Sequence, residues 1–201
     1  MSYSRRELNK IESRKRILKA SRRLFSAQGY EETMMEEIAR QAEVSKATVY
    51  NYFPNKESLL IGIVDEVADR VEELLELNPA DGSNCLQRVQ IVLEEIVDAS
   101  LQYPDLSRRI AYLNADRGSP LFGTWQEIET ILMQLILTAQ REGLLDAQAD
   151  ARDIQDRVMG IYLIALFQWT AQDLEKAGSL KAKLTRSFEA LMEPYLTSSP
   201  T

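Results

Sequence analysis

Thr33-Met34-Met35-Glu36-Glu37-Ile38-Ala39-Arg40-Gln41-Ala42-Glu43-Val44-Ser45-Lys46-Ala47-Thr48-Val49-Tyr50-Asn51-Tyr52-Phe53 contains two short helical patterns separated by two residues. Thr33 followed three residues later by Glu36 has the form of a capping box, and Met35, Ile38, Ala39 and Ala42 recur at the spacing of one helix face. Glu43 and Val44 interrupt that pattern, and Ser45 opens a second helix as its N-cap. Pro54 ends it after Tyr52 or Phe53, because proline lacks an N–H and crowds the residue before it. Ala39 is small where the two helices cross, and Val44, Val49 and Phe53 turn inward. Lys46, Thr48, Tyr50, Asn51 and Tyr52 are left facing outward, where a solvated helix more often carries Glu, Lys and Gln.

Two short helices with a tight turn, the second opened by serine, form the layout of a helix-turn-helix, whose second helix is short enough to enter a major groove. Hydroxyls, phenols, an amide and one cation on its outer side match the donors and acceptors of base edges, thymine methyls and phosphates.

Outward from this stretch the chain continues to read as helix. Ser4-Arg5-Arg6-Glu7 is a capping box for a first helix that runs to Gln28, where Gly29 supplies a stop. Ile17, Ala20, Leu24 and Ala27 form its apolar face, and Arg14, Lys15, Arg16, Lys19, Arg22 and Arg23 occupy much of the rest. Asn55 caps a fourth helix from Lys56 to about Leu77, a turn falls at 78–84, and a fifth helix ends near Tyr103. A sixth is expected over 105–114, a seventh from Ser119-Pro120 to Glu142, an eighth from Asp150 to Lys176 and a ninth from Ser179 to Leu196. The predicted class is all-α with about nine helices. A helix-turn-helix DNA-binding domain spans 1–55, and a larger helical ligand-sensing and dimerisation domain spans 56–201.

Charge follows the same division. The net charge is −7, yet residues 1–56 hold 12 Lys and Arg against 7 Asp and Glu, while the remainder holds 12 against 24. A basic module is joined to an acidic body, which suits a nucleic-acid-facing head. The absence of histidine removes imidazole bases, Ser-His and Cys-His pairs and histidine metal ligands. A single cysteine, Cys85, rules out an intramolecular disulfide. No apolar leader or membrane-length apolar run is present, so a cytoplasmic protein with no membrane partner and no cofactor is expected.

Gly29-Tyr30, Thr33, Ile38-Ala39, Ala42, Val44 to Tyr50, Tyr52-Phe53 and Lys56-Glu57-Ser58-Leu59 resemble, in order and spacing, the signature of the TetR/AcrR-like family of helix-turn-helix transcriptional regulators. The resemblance covers about residues 10–62. It implies that Lys46, Ala47 and Thr48 read base edges after the Ser45 cap, that Tyr50, Asn51 and Tyr52 meet phosphates or thymine methyls, and that Thr33, Met35 and Lys56 touch the DNA backbone. It also implies a homodimer on a pseudo-palindromic double-stranded operator, released by a small effector. Three positions depart from the family's habit. Glu43 stands where glycine is common, Ala47 replaces a frequent glycine and Tyr52 a frequent histidine.

In the body, aromatic residues suggest walls for a small hydrophobic effector, with Tyr112, Phe122, Trp125, Tyr162 and Trp169 as the candidate lining and ordinary core packing as the alternative for each. Leu180, Leu184, Phe188 and Leu191 form a stripe expected to be the dimer seam, or else to pack within the subunit. An all-helical enzyme and a helical interaction module without specific DNA binding stand as competing functions. The first would have to work through Asp, Glu, Lys, Tyr or Cys85 alone.

Overall fold

The computed structural model describes residues 4–77, 84–168 and 177–197. Most of the turn expected at 78–84 lies outside them. The helices are α1 (Arg5–Gln28), α2 (Met35–Gln41), α3 (Lys46–Tyr52), α4 (Lys56–Leu77), α5 (Cys85–Leu101), α6 (Pro104–Ala115), α7 (Gln126–Arg141), α8 (Ala151–Gln168) and α9 (Ala177–Met192), with a 3-10 turn at Glu193–Tyr195. Among the described residues the one β feature is an isolated bridge between Leu145 and Leu196, and no helix is long and apolar enough to cross a membrane.

Local chemistry sets most helix ends. The Ser4 hydroxyl accepts from the Glu7 N–H at 3.3 Å and the Glu7 carboxylate accepts from the Ser4 N–H at 2.8 Å, closing a capping box on α1. The Ser4 hydroxyl is also the main reason the Glu7 carboxyl is held below its ordinary range. Gly29 ends α1 at φ 90°, a conformation that costs a side-chain-bearing residue energy. Asn55 and Asn84 cap α4 and α5 through the N–H groups of Ser58 and Gln87, at 2.8 and 3.0 Å.

Two ends differ from the sequence expectation. Thr33 is not the cap of α2. Its hydroxyl donates to the Gly29 carbonyl at 2.7 Å, Met34 takes the cap position, and Glu37 rather than Glu36 accepts from the Met34 N–H at 3.2 Å. Acidic residues stand at both 36 and 37, and the open carbonyl at the end of α1 claims Thr33. The seventh helix starts at Gln126, not at Pro120. Ser119 caps a single turn through the Leu121 N–H at 3.0 Å, and Gly123 at φ 72° breaks helical continuation before α7 begins.

The chain forms two compact units. The first runs through Glu66 and includes Asp105–Thr124; the second comprises Val67–Pro104 and the chain from Trp125 onward. The first unit therefore extends past the functional boundary placed at residue 55. The reason is the grip of α1 on α4: Arg14 pairs with Asp65 at 3.3 Å and Arg22 with Glu66 at 2.6 Å. Gly62 is part of that grip. A Cβ there would lie 2.7 Å from the Phe53 ring and 3.1 Å from Leu18, so glycine permits the close approach. Ile17, Leu18, Ile38, Val49 and Leu59 are completely buried around it.

In the second unit α5, α7 and α8 pack on one another, and α9 lies against α8 and α5. Leu93, Leu132, Ile136, Ile154 and Val158 are completely buried there. The end of the chain is held by the Asp146 N–H donating to the Tyr195 carbonyl at 2.8 Å and the Thr197 N–H donating to the Leu144 carbonyl at 3.2 Å.

Candidate nucleic-acid interface and effector core

α3 is built to present one side. Ser45 caps it, accepting from the Thr48 N–H at 3.0 Å and lying 2.7 Å from the Thr48 hydroxyl. Val49 and Phe53 anchor its inner face in the core, while Val44 is half-buried. Ser45, Lys46, Ala47, Tyr50 and Asn51 are exposed, and Thr48 and Tyr52 half-buried, so the structure brings these seven candidates onto one short element. The turn before it places Glu43 at φ 55°, the left-handed conformation for which glycine is favoured.

The flanking candidates divide. Thr33 and Met35 are buried, with 1% and 7% of their surface exposed, so neither side chain is presented at the surface. The Thr33 hydroxyl is spent on Gly29 and on the Gln28 amide at 3.4 Å. Only the main chain of these two residues remains for a phosphate. Lys56 directs its ammonium to the Tyr30 and Glu31 carbonyls, both at 2.9 Å, leaving one of its three donors.

Charge on this face is not simply positive. The Lys46 ammonium pairs with Glu36 on α2 and lies 5.8 Å from the centre of the Tyr50 ring. Hydrogen bonding between the two lowers the Glu36 carboxyl and raises the Lys46 ammonium from their ordinary values. Sequence reasoning missed this pair, because ten positions and a turn separate its members and no periodicity joins them.

The described aromatic candidates divide between the two units. Tyr112 and Phe122 belong to the first unit and are 71% and 52% exposed. Trp125 and Tyr162 belong to the second, where they are buried and meet edge to face with ring centres 5.6 Å apart. Trp169 lies outside the described residues. The Tyr162 hydroxyl lies 3.0 Å from the Ser100 hydroxyl, and burial pushes its pKa up. Nearby in sequence, Gln155 is 1% exposed; its amide NH2 donates to the Glu129 carbonyl at 2.7 Å, and its amide oxygen has no partner among the described residues.

The stripe expected on the last helix, as a dimer seam or else as packing within the subunit, is partly covered by its own chain. Leu184 and Phe188 are each 4% exposed within a single chain, Leu191 is half-buried, and the side chain of Leu180 is outside the described set. An apolar stripe has the same period whether it faces its own core or a partner, and Leu184 and Phe188 face their own core. The most exposed large apolar side chains of the second unit are Ile164 (59%) and Phe167 (60%) on α8, with Leu137 on α7 and Leu196 also exposed.

A short helix, a tight turn and a capped seven-residue helix with outward hydrogen-bonding side chains have the geometry of a helix-turn-helix. Residues 17–63 match the family model described as "Bacterial regulatory proteins, tetR family". The chain is 36% identical over 107 residues to the transcriptional repressor KstR of Rhodococcus jostii, an alignment spanning 52% of this chain and half the length of that relative. It is 26% identical over 180 residues to KstR of Mycobacterium tuberculosis, covering 86% and 80% of the two chains. Bacillus subtilis FadR, solved with stearoyl-CoA, shares the fold at a TM-score of 0.71 and 20% identity, covering 88% of this chain and 96% of that one. Thermus thermophilus FadR, solved with lauroyl-CoA, shares it at 0.60 and 21%, covering 93% and 97%. Residues 17–63 thus match the DNA-binding region of that family, and the whole chain is similar in fold to its solved members.

Proposed function

We propose that this regulator is a repressor that binds a pseudo-palindromic double-stranded operator as a homodimer in the cytoplasm and is released by a small hydrophobic effector. The outward face of α3 carries the reading. Ser45, Lys46, Ala47 and Thr48 face base edges, and Tyr50, Asn51 and Tyr52 face phosphates or thymine methyls. Lys56 gives its remaining donor to a phosphate, with Thr33 and Met35 contributing through the main chain. One such helix reads only a few base pairs, so specificity comes from two copies about one helical turn apart. The functional head is residues 1–55, with 56–201 sensing and dimerising.

The effector lies in the second unit beside Trp125 and Tyr162, and neighbours of the same fold solved with acyl-CoA ligands support an apolar effector. The dimer seam runs along the outer face of α8 through Ile164 and Phe167. Selection of bound duplexes from genomic fragments tests the proposal. The protein is expected to enrich a two-fold operator, and Lys46→Ala and Tyr50→Ala are each expected to weaken it by ~1–3 kcal/mol with helical circular dichroism retained. Failure to enrich any sequence over bulk DNA would instead favour an interaction module.

A further inference from the structure

We infer that Glu36 is a specificity-determining positioning residue, holding the Lys46 ammonium away from phosphates so that the one cation of the recognition helix is committed to a base edge. The inference rests on the DNA-reading role of α3 proposed above. Lys46 is the only charged residue in α3, and Glu36 on α2 is its ion-pair partner. Both side chains are about half exposed, at 59% and 49%, so the pair sits on the surface that α3 presents rather than in the core.

Three observations argue against a merely decorative surface pair. Helix capping does not need Glu36, since Glu37 accepts the Met34 N–H. A carboxylate on a DNA-facing surface opposes phosphate binding, so its presence there has a cost in affinity. The ammonium is also within 5.8 Å of the Tyr50 ring centre, which restricts a side chain otherwise free to swing toward either strand. Non-specific binding is driven by counterion release and counts free cations, so a lysine neutralised by its neighbour contributes little to it. At the correct base, guanine O6 and N7 offer the ammonium acceptors to which Glu36 has already directed it. The carboxylate thus lowers the background on random DNA more than it lowers operator affinity.

The test measures binding of the full-length protein to its selected operator and to a scrambled duplex of equal length across a salt series, for wild type, Glu36→Gln, Lys46→Ala and the double variant. Glu36→Gln is expected to strengthen scrambled-duplex binding roughly eightfold at 0.1 M salt for each ammonium freed, and to steepen the salt slope by about 0.9 per subunit. Operator affinity is expected to change by less than about threefold, well under the effect of one lost base contact, so discrimination falls. In the Lys46→Ala background Glu36→Gln is expected to do little. Equal strengthening on both duplexes, no change on either, or an undiminished effect without Lys46 would each overturn the inference. A wild-type protein that does not discriminate operator from scrambled duplex would overturn the DNA-reading role itself, whereas intact discrimination left unaltered by Glu36→Gln would overturn only the role of Glu36.

Discussion

The guanidinium carbon of Arg109, on α6, lies 4.2 Å from the centre of the Tyr30 ring at the turn between α1 and α2. The same guanidinium donates to the Glu31 carboxylate at 2.5 Å, while its Nε is buried without a hydrogen-bond acceptor among the described residues. Lys56 adds a second cation 4.7 Å from the ring centre. Within the first unit the Arg109–Glu31 pair ties residues 78 positions apart. Tyr30 is only 8% exposed, so the interaction is partly desolvated. Arg109→Ala is expected to destabilise the first unit by ~1–2 kcal/mol. Arg109→Lys should recover only part of it, because an ammonium lacks the planar stacking surface. Denaturant unfolding of the three proteins checks this.

Tyr30 also predicts an alkaline limit. Burial is the main cause that raises its phenol pKa, the neighbouring Glu57 adds to it, and Arg109 opposes. The folded state therefore keeps the proton that the unfolded state releases near pH 10. This contribution to stability is complete below about pH 10 and is lost as pH rises from there toward the folded value. Tyr30→Phe keeps the ring and removes the linkage, so its denaturation midpoint should fall less steeply above pH 10 than that of wild type.

Glu43 occupies the left-handed region at φ 55° in the turn before α3. A residue with a side chain gives up about 1–2 kcal/mol there relative to glycine. Glu43→Gly is expected to raise stability by about 0.5–1 kcal/mol once the greater freedom of glycine in the unfolded chain is subtracted. An unchanged or lower melting temperature would contradict this.

Phe188 and Phe167 should fail in different ways. Phe188 is buried within one subunit, so Phe188→Ala is expected to cost about 3–5 kcal/mol of folding stability. Phe167 and Ile164 are exposed on α8, so Phe167→Glu with Ile164→Ser should leave the fold intact and yield a monomer with weakened operator binding. Sedimentation velocity and thermal unfolding separate the two outcomes. A double variant that remains dimeric would move the seam elsewhere.

The helices and the outward face of α3 were legible because they depend on short-range rules: caps such as Ser4, Ser45 and Asn55, stops such as Gly29 and Pro54, and apolar residues repeating every three or four positions. The backbone at Glu43 was open by these rules: the resemblance marked the position as one where glycine is common, and only the structure places it at φ 55°. Tertiary structure alone decided which surface each apolar stripe meets and which partners distant side chains take. It sent Leu184 and Phe188 into their own core, Thr33 to the carbonyl of Gly29, and Tyr112 and Trp125 to separate units. It also joined Glu36 to Lys46 and Arg109 to Tyr30. A helical period specifies a direction around an axis but not what lies in that direction, and contacts between remote residues exist only once the packing of several helices has brought them together.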